Sequence, residues 1–180
     1  MIATLRYLKR NRFFSGKLLT AEDLALEQEY FREKLKRHNR YLHGFGVVYG
    51  LEVFKSAGTV VISSGLAIDC QGNEIVVPEP LEQALPGPDL GSTIFLSISY
   101  VEKETDPVPN PLAIGSEIEN SRMEESAVAV FEKGNANQGH RHFKGRWSAC
   151  GKSHGLAIAK LRFSSGQLRF DRRHHAPLIK

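Results

Sequence analysis

The chain has 180 residues, 41% of them apolar, and a formal net charge of +4. That is enough apolar material for one domain with a real core, and it excludes general disorder; no apolar run approaches the ~20 residues that a membrane-spanning helix needs. Two cysteines, Cys70 and Cys150, are too few for a disulfide framework, and the mildly basic excess collects near the first 17 residues and in the tail RFDRRHHAPLIK. The opening MIATLRYLKRNRFF mixes basic and apolar residues with no continuous apolar stretch, a poor signal peptide, so assembly in the cytoplasm is expected.

Residues 1–19 carry no clean period. RNRFFSGKLL places Phe13 and Phe14 before a Ser15-Gly16 turn and Leu18 and Leu19 after it, which predicts an extended arm. An arm with that many large apolar residues must bury them on its own domain or in a neighbour.

Residues 20–43 predict the clearest element, a helix. Thr20 is a good N-cap, and Asp23 three residues later makes a variant of the capping box. Acidic residues (Glu22, Asp23, Glu27, Glu29) fill the first half and basic ones (Arg32, Lys34, Lys36, Arg37, Arg40) the second, which complements the helix dipole. Leu24, Phe31, Leu35 and Leu42, with Gln28 and His38 between them, recur at spacings of three and four and form one face. Gly44 is the expected stop. A helix of about 24 residues is about 36 Å long, more than a small β domain needs, so part of it is expected to contact something else.

Beyond Gly44 the period changes to that of strands. FGVVYGLEVF and TVVIS flank a turn at residues 55–58, and Gln71-Gly72-Asn73 sits between GLAID and EIVV as a hairpin signal. PEPLEQALPGPD and EKETDPVPNPLAIG read as proline-rich loops, STIFLSISYV and SAVAVFE as strands, and GLAIAKLRF-SSGQ-LRF as a last hairpin. Ile94, Leu96, Ile98 and Tyr100 are expected on one strand face, with Ser97 and Ser99 on the other. Seven or eight short strands and one long helix predict an α+β protein. It comprises an arm (1–19), a long helix (20–43) and a mainly-β region (44–180) that forms a small antiparallel sandwich or barrel, all in a single domain.

No catalytic signature emerges. The glycines of Gly44-Phe45-Gly46-Val47-Val48-Tyr49-Gly50 miss the dinucleotide spacing by one, and they follow a helix instead of opening one. His38 and His43 are five apart, where helical metal pairs sit four apart. His38 falls on the apolar face, where a hydrogen-bonded core histidine is the commoner outcome. His140, His142, Cys150 and His154 offer zinc-type ligands in a polar stretch, but in a spacing that fits no common finger; no metal or other cofactor is assigned on that basis. A metal-dependent hydrolase built on that cluster, or a glycan-binding adaptor using residues 102–120 and 133–154, are the competing readings.

The ordered string RFFSGKLLTAEDLALEQEYFREKLKRHNRYLHGFGVVYGLEV, followed by GLAIDCQGNEIVV, resembles a family encoded in the gene clusters of contractile, phage-tail-like injection systems. The likeness is dense over about residues 10–78 and looser through YVEKETDPVP and SRMEES to GLAIAKLRF. It implies a non-enzymatic structural subunit in or at the periphery of a baseplate, present in several copies and touching other tail subunits, with no nucleic-acid or membrane-inserted partner. The finished particle is the expected destination, including release from the cell. Some relatives carry extra cysteines before the final hairpin, where this chain has only Cys150. The residues expected to dock partners are Arg12, Phe13, Phe14, Leu18 and Leu19 of the arm, and His38, Asn39, Arg40 and His43 at the helix end.

Overall fold

A computed structural model describes residues 6–87, 93–110, 117–133, 155–164, 167–171, 176 and 178–179. The arm (residues 6–20) makes its turn at Ser15 and Gly16, with Gly16 at φ +87°. Helix α1 (Ala21–His38) follows, opened by the expected capping box: the Asp23 amide donates to Thr20 Oγ1 at 3.3 Å and the Thr20 amide to Asp23 Oδ2 at 3.4 Å. The helix does not stop at His38. It widens into one π-helical turn (Asn39–His43) and ends at Gly44, whose φ of +84° an L side chain adopts only under strain.

Ten strands are described, all paired antiparallel in three small sheets. β1 (Gly46–Gly50), β4 (Gly65–Ile68) and β5 (Glu74–Val77) form one, in the order β1-β4-β5. β2 (Val53–Ser56), β3 (Thr59–Ile62) and β6 (Leu81–Ala84) form the second, in the order β2-β3-β6. β7 (Thr93–Pro109), β8 (Ile118–Lys133), β9 (Leu156–Ser164) and β10 (Gln167–Phe170) form the third, in the order β10-β9-β7-β8. The chain leaves the first sheet for the second at Leu51, a buried residue held at φ +57°. Its burial against the core offsets a backbone cost of roughly 1–2 kcal/mol.

All three sheets turn apolar side chains into one core. Val47, Val60, Ile62, Ile75, Val77, Ile94, Leu96, Ile98, Leu156 and Leu161 meet there, several of them with no exposed surface at all. The result is an α+β fold, one helix on a small antiparallel β sandwich that curls into a half-barrel. Within the described residues the core is built by the β body and its closing segments alone; α1 contributes no buried residue.

Two sequence expectations are corrected. PEPLEQALPGPD contains strand β6, an edge strand flanked by the prolines and paired to β3 from Thr59↔Ala84 to Ile62↔Leu81. EKETDPVP is no loop. It continues β7, which pairs with β8 without a break in sheet membership from Ile94↔Lys133 out to Pro109↔Ile118. Pro107 and Pro109 lie two apart, so both missing amides fall on the same edge of β7, with which no described strand pairs beyond Ile98. A kink at Asp106, φ +57°, is bridged by the Ser121 hydroxyl donating to the Asp106 carbonyl at 2.8 Å. The ribbon thus projects beyond the core as exposed, largely polar strand. Ser97 lies on the β7 face opposite Ile98, and that face too is covered. It is buried and donates to Glu132 at 3.1 Å, because the start of β7 is covered on both sides.

Gly44 should not tolerate a side chain. Gly44→Val is expected to cost about 1–3 kcal/mol from the backbone conformation alone, read as a lower urea midpoint with an unchanged m-value.

Candidate functional site

The helix end is joined to the β body through the tight turn between β4 and β5. That turn is shaped by Asp69, whose Oδ1 accepts from the amides of Gln71 and Asn73, both at 2.8 Å, and whose Oδ2 accepts from the Asn73 side chain at 2.7 Å. Gly72 sits at its tip with φ +88°, and a Cβ there would lie 2.2 Å from the Lys36 carbonyl oxygen. Only glycine lets the turn and the helix backbone approach so closely. From the helix side, the buried Asn39 amide donates to the Gly72 carbonyl at 3.0 Å and to Glu74 Oε1 at 3.3 Å, while Arg40 donates to the Gln71 carbonyl at 3.1 Å. Asn39 and Arg40, grouped above with the docking residues, are therefore engaged within the chain as joint residues.

A second contact lies further up the helix. Arg32 pairs with Glu102 of β7 at 2.6 Å, and the Tyr100 hydroxyl donates to the same carboxylate at 2.7 Å. Burial first, and then hydrogen bonding to Glu102 and Glu125, push the Tyr100 phenol well above its ordinary pKa, so it stays a donor. A small cleft of about 70 Å³ between Arg32, Leu35, Lys36, Asn73, Tyr100 and Glu125 separates helix and ribbon.

The arm covers a third side. It runs antiparallel along the helix: Arg6 faces Glu33 at 3.7 Å and accepts from Arg37 through its carbonyl, Asn11 donates to the Asp23 carbonyl, and Lys17 pairs with Asp23 at 2.9 Å. These are polar contacts. The arm's large apolar residues, Phe13, Phe14, Leu18 and Leu19, all point to solvent, and Arg12 is exposed beside them.

The helix is consequently mounted with its polar side inward. The better-protected positions are Asp23, Glu27, Tyr30, Glu33, Lys36, Arg37, Asn39 and Arg40. The predicted apolar face is outward, with Leu24, Phe31, Leu35 and Leu42 between 50% and 68% exposed. His38 is no core histidine. It is exposed, and its Nε2 lies 3.1 Å from Nε2 of His43. The π-helical turn explains the meeting, because it stacks residues five apart where an α-turn stacks residues four apart. Among the described residues no cluster of three or more His, Cys, Asp or Glu side chains is placed to hold a metal ion, so the two imidazoles stand as a pair. His140, His142, Cys150 and His154 lie outside the described residues.

A larger cavity of about 430 Å³ opens between β1 and β9, lined by Val47, Leu51, Val53, Ile158, Phe170 and Leu178 among others. Its polar edge is an ion-pair cluster, Asp171 with Lys160 at 3.4 Å and Arg162 at 2.9 Å. Its described lining holds no serine, cysteine or histidine.

Comparison with solved structures places this architecture. A chain of the type VI secretion TssK-TssF-TssG baseplate subcomplex superposes over 96% of this chain with a TM-score of 0.55 at 13% identity. The fold is one used in type VI secretion baseplates. Crystalline TssK matches 92% of the chain (TM-score 0.51, 12% identity), and a chain of a second type VI baseplate complex matches 96% (TM-score 0.51, 16% identity). The chain spans 62%, 41% and 60% of the length of these three structures, so the likeness concerns one part of each. No protein-family model and no curated protein matches the chain.

The arm–helix contact has an acid-labile element. The Lys17 ammonium holds the Asp23 carboxyl below its ordinary range, and hydrogen bonds from its own amide and Thr20 do the same for Glu22. Because the folded carboxyls stay charged to lower pH than unfolded ones, their contribution is complete at neutral pH. It begins to fade near pH 4 and is gone once the pH falls through the lowered values. Helical ellipticity followed from pH 7 to pH 2.5 should decline below about pH 4, and the decline should be shallower in Asp23→Asn; identical profiles would remove Asp23 from that role.

Proposed function

We propose that the chain is a non-enzymatic structural subunit in or near the baseplate of a contractile, phage-tail-like particle, joined to neighbouring subunits through its arm. The observation that carries this reading is the outward placement of the apolar side chains of arm and helix on a body whose core is already closed by its own sheets. A monomer has no use for such a surface, and contiguous exposed apolar residues of this kind mark interaction sites. The shared fold of the type VI baseplate chains supports the setting, and so does the resemblance of residues 10–78 to contractile-system proteins.

The described ion pairs and hydrogen bonds between arm and helix leave Phe13, Phe14, Leu18 and Leu19 exposed and free to insert into a neighbour. Phe13→Ser combined with Phe14→Ser is expected to leave the melting temperature of the isolated protein within a few degrees of the parent. In the producing cells the same change should reduce its recovery in purified particles at least tenfold. Particles that incorporate the double variant normally would overturn the docking role of the arm.

A further inference from the structure

The outward face of α1 has a stricter pattern than an amphipathic helix needs. Leu24, Gln28, Phe31, Leu35 and His38 follow one another at spacings of four, three, four and three, which are alternating d and a positions of a heptad repeat. A helix that packs on its own sheet shows a wider stripe with a period of 3.6, whereas a narrow 3.5-residue seam is the signature of helices winding on helices. In this chain the seam is exposed along its length, and Leu42 extends it as a further exposed apolar residue.

We propose that the seam is a self-association surface, on which α1 of a second copy of this chain packs parallel and in register. Two features select that occupant. The first is the polar layers. In register, Gln28 meets Gln28 and His38 meets His38, so each polar group faces a partner able to hydrogen-bond it; against an unrelated apolar helix, both would be buried unpaired. The second is the flanking charge. Glu27 occupies the g position and is half-buried at the margin of the exposed seam. Arg32 is the e position of the next heptad, where it reaches the g residue of a parallel neighbour. Glu27 of each copy thus meets Arg32 of the other. Arg32 is partly exposed and has several guanidinium donors, so its bond to Glu102 leaves donors for this second carboxylate. An antiparallel pair would instead set Arg32 against Arg32 and Lys34 against Lys34.

The parallel arrangement places both β bodies on the same end of a short two-heptad coil. The contact is correspondingly modest, and it adds to the arm contact proposed above without depending on it. Loss of the seam should leave the arm able to dock, and loss of the arm should leave the seam able to pair.

Sedimentation of the purified full chain at concentrations up to roughly 0.2 mM tests the surface, since a sub-millimolar dissociation constant registers there. Reversible self-association is expected. Leu35→Glu and Phe31→Glu should each weaken it at least tenfold without changing the far-ultraviolet spectrum, because both side chains are exposed in the single chain. A wild-type chain that stays monomeric, or one whose association both variants leave unchanged, overturns the proposal. Orientation is read separately by oxidation. Leu24→Cys should cross-link copies through residue 24, beyond the background of a parent keeping its native cysteines. Cross-linking that requires Leu24→Cys in one copy and Leu42→Cys in the other would overturn the parallel register.

Discussion

One close contact fixes where everything outside the β body goes: the tip of the β4–β5 turn against the last regular turn of the helix. Asp69 folds the turn by accepting three hydrogen bonds, Gly72 brings its backbone against the Lys36 carbonyl, and Asn39 reaches across to bond the Gly72 carbonyl. Asn39 is almost fully buried, so a missing partner would cost about 1–3 kcal/mol, a large fraction of an ordinary domain's stability. The helix has little else to hold it. Among the described residues its remaining attachments include ion pairs and polar contacts at its surface, each worth about 1 kcal/mol or less.

That economy has a structural consequence. Packing through an apolar stripe would have buried Leu24, Phe31 and Leu35 against the sheets. Attachment at one end through backbone-directed hydrogen bonds, with Arg32 and the arm steadying the rest, leaves the stripe turned outward. The β core closes without it, because Ile62, Ile75, Ile94, Leu96 and Ile98 already fill the space between the sheets. The molecule therefore folds around one apolar core and presents a second apolar surface to be covered. The long β7–β8 ribbon follows the same logic in polar form, extending well past the last core residue.

Much of this was legible in the residues. Thr20 and Asp23 announce the start of the helix, Gly44 its end, and Gln71-Gly72-Asn73 the hairpin. What was not legible has identifiable causes. Apolar spacing reports that a helix has an apolar face, but not whether that face meets its own sheet or another molecule, so the exposure of Phe31 and Leu35 had to be seen. The prolines at 107 and 109 argue against strand on average, yet on an edge that no described strand pairs with they cost no described ladder bonds. The His38–His43 pair was discounted because five-residue spacing does not align on an α-helix, and nothing in NRYLH signals the π-helical turn that aligns it. Asn39 stood among the expected docking residues; its burial depends on the turn contributed by residues 69–73, far away in sequence.

The central claim is the orientation of α1: polar side to the body, apolar seam to the outside. Thiol-labelling rates of single cysteines placed along the helix test it most directly, measured in solution dilute enough to keep the chain monomeric. Cysteines at positions 31 and 35 should react at rates near that of a free thiol, and cysteines at positions 33 and 37 substantially more slowly. Slow labelling at 31 and 35 with fast labelling at 33 and 37 would mean that the stripe packs on the chain's own sheets, and the account of this surface would be wrong.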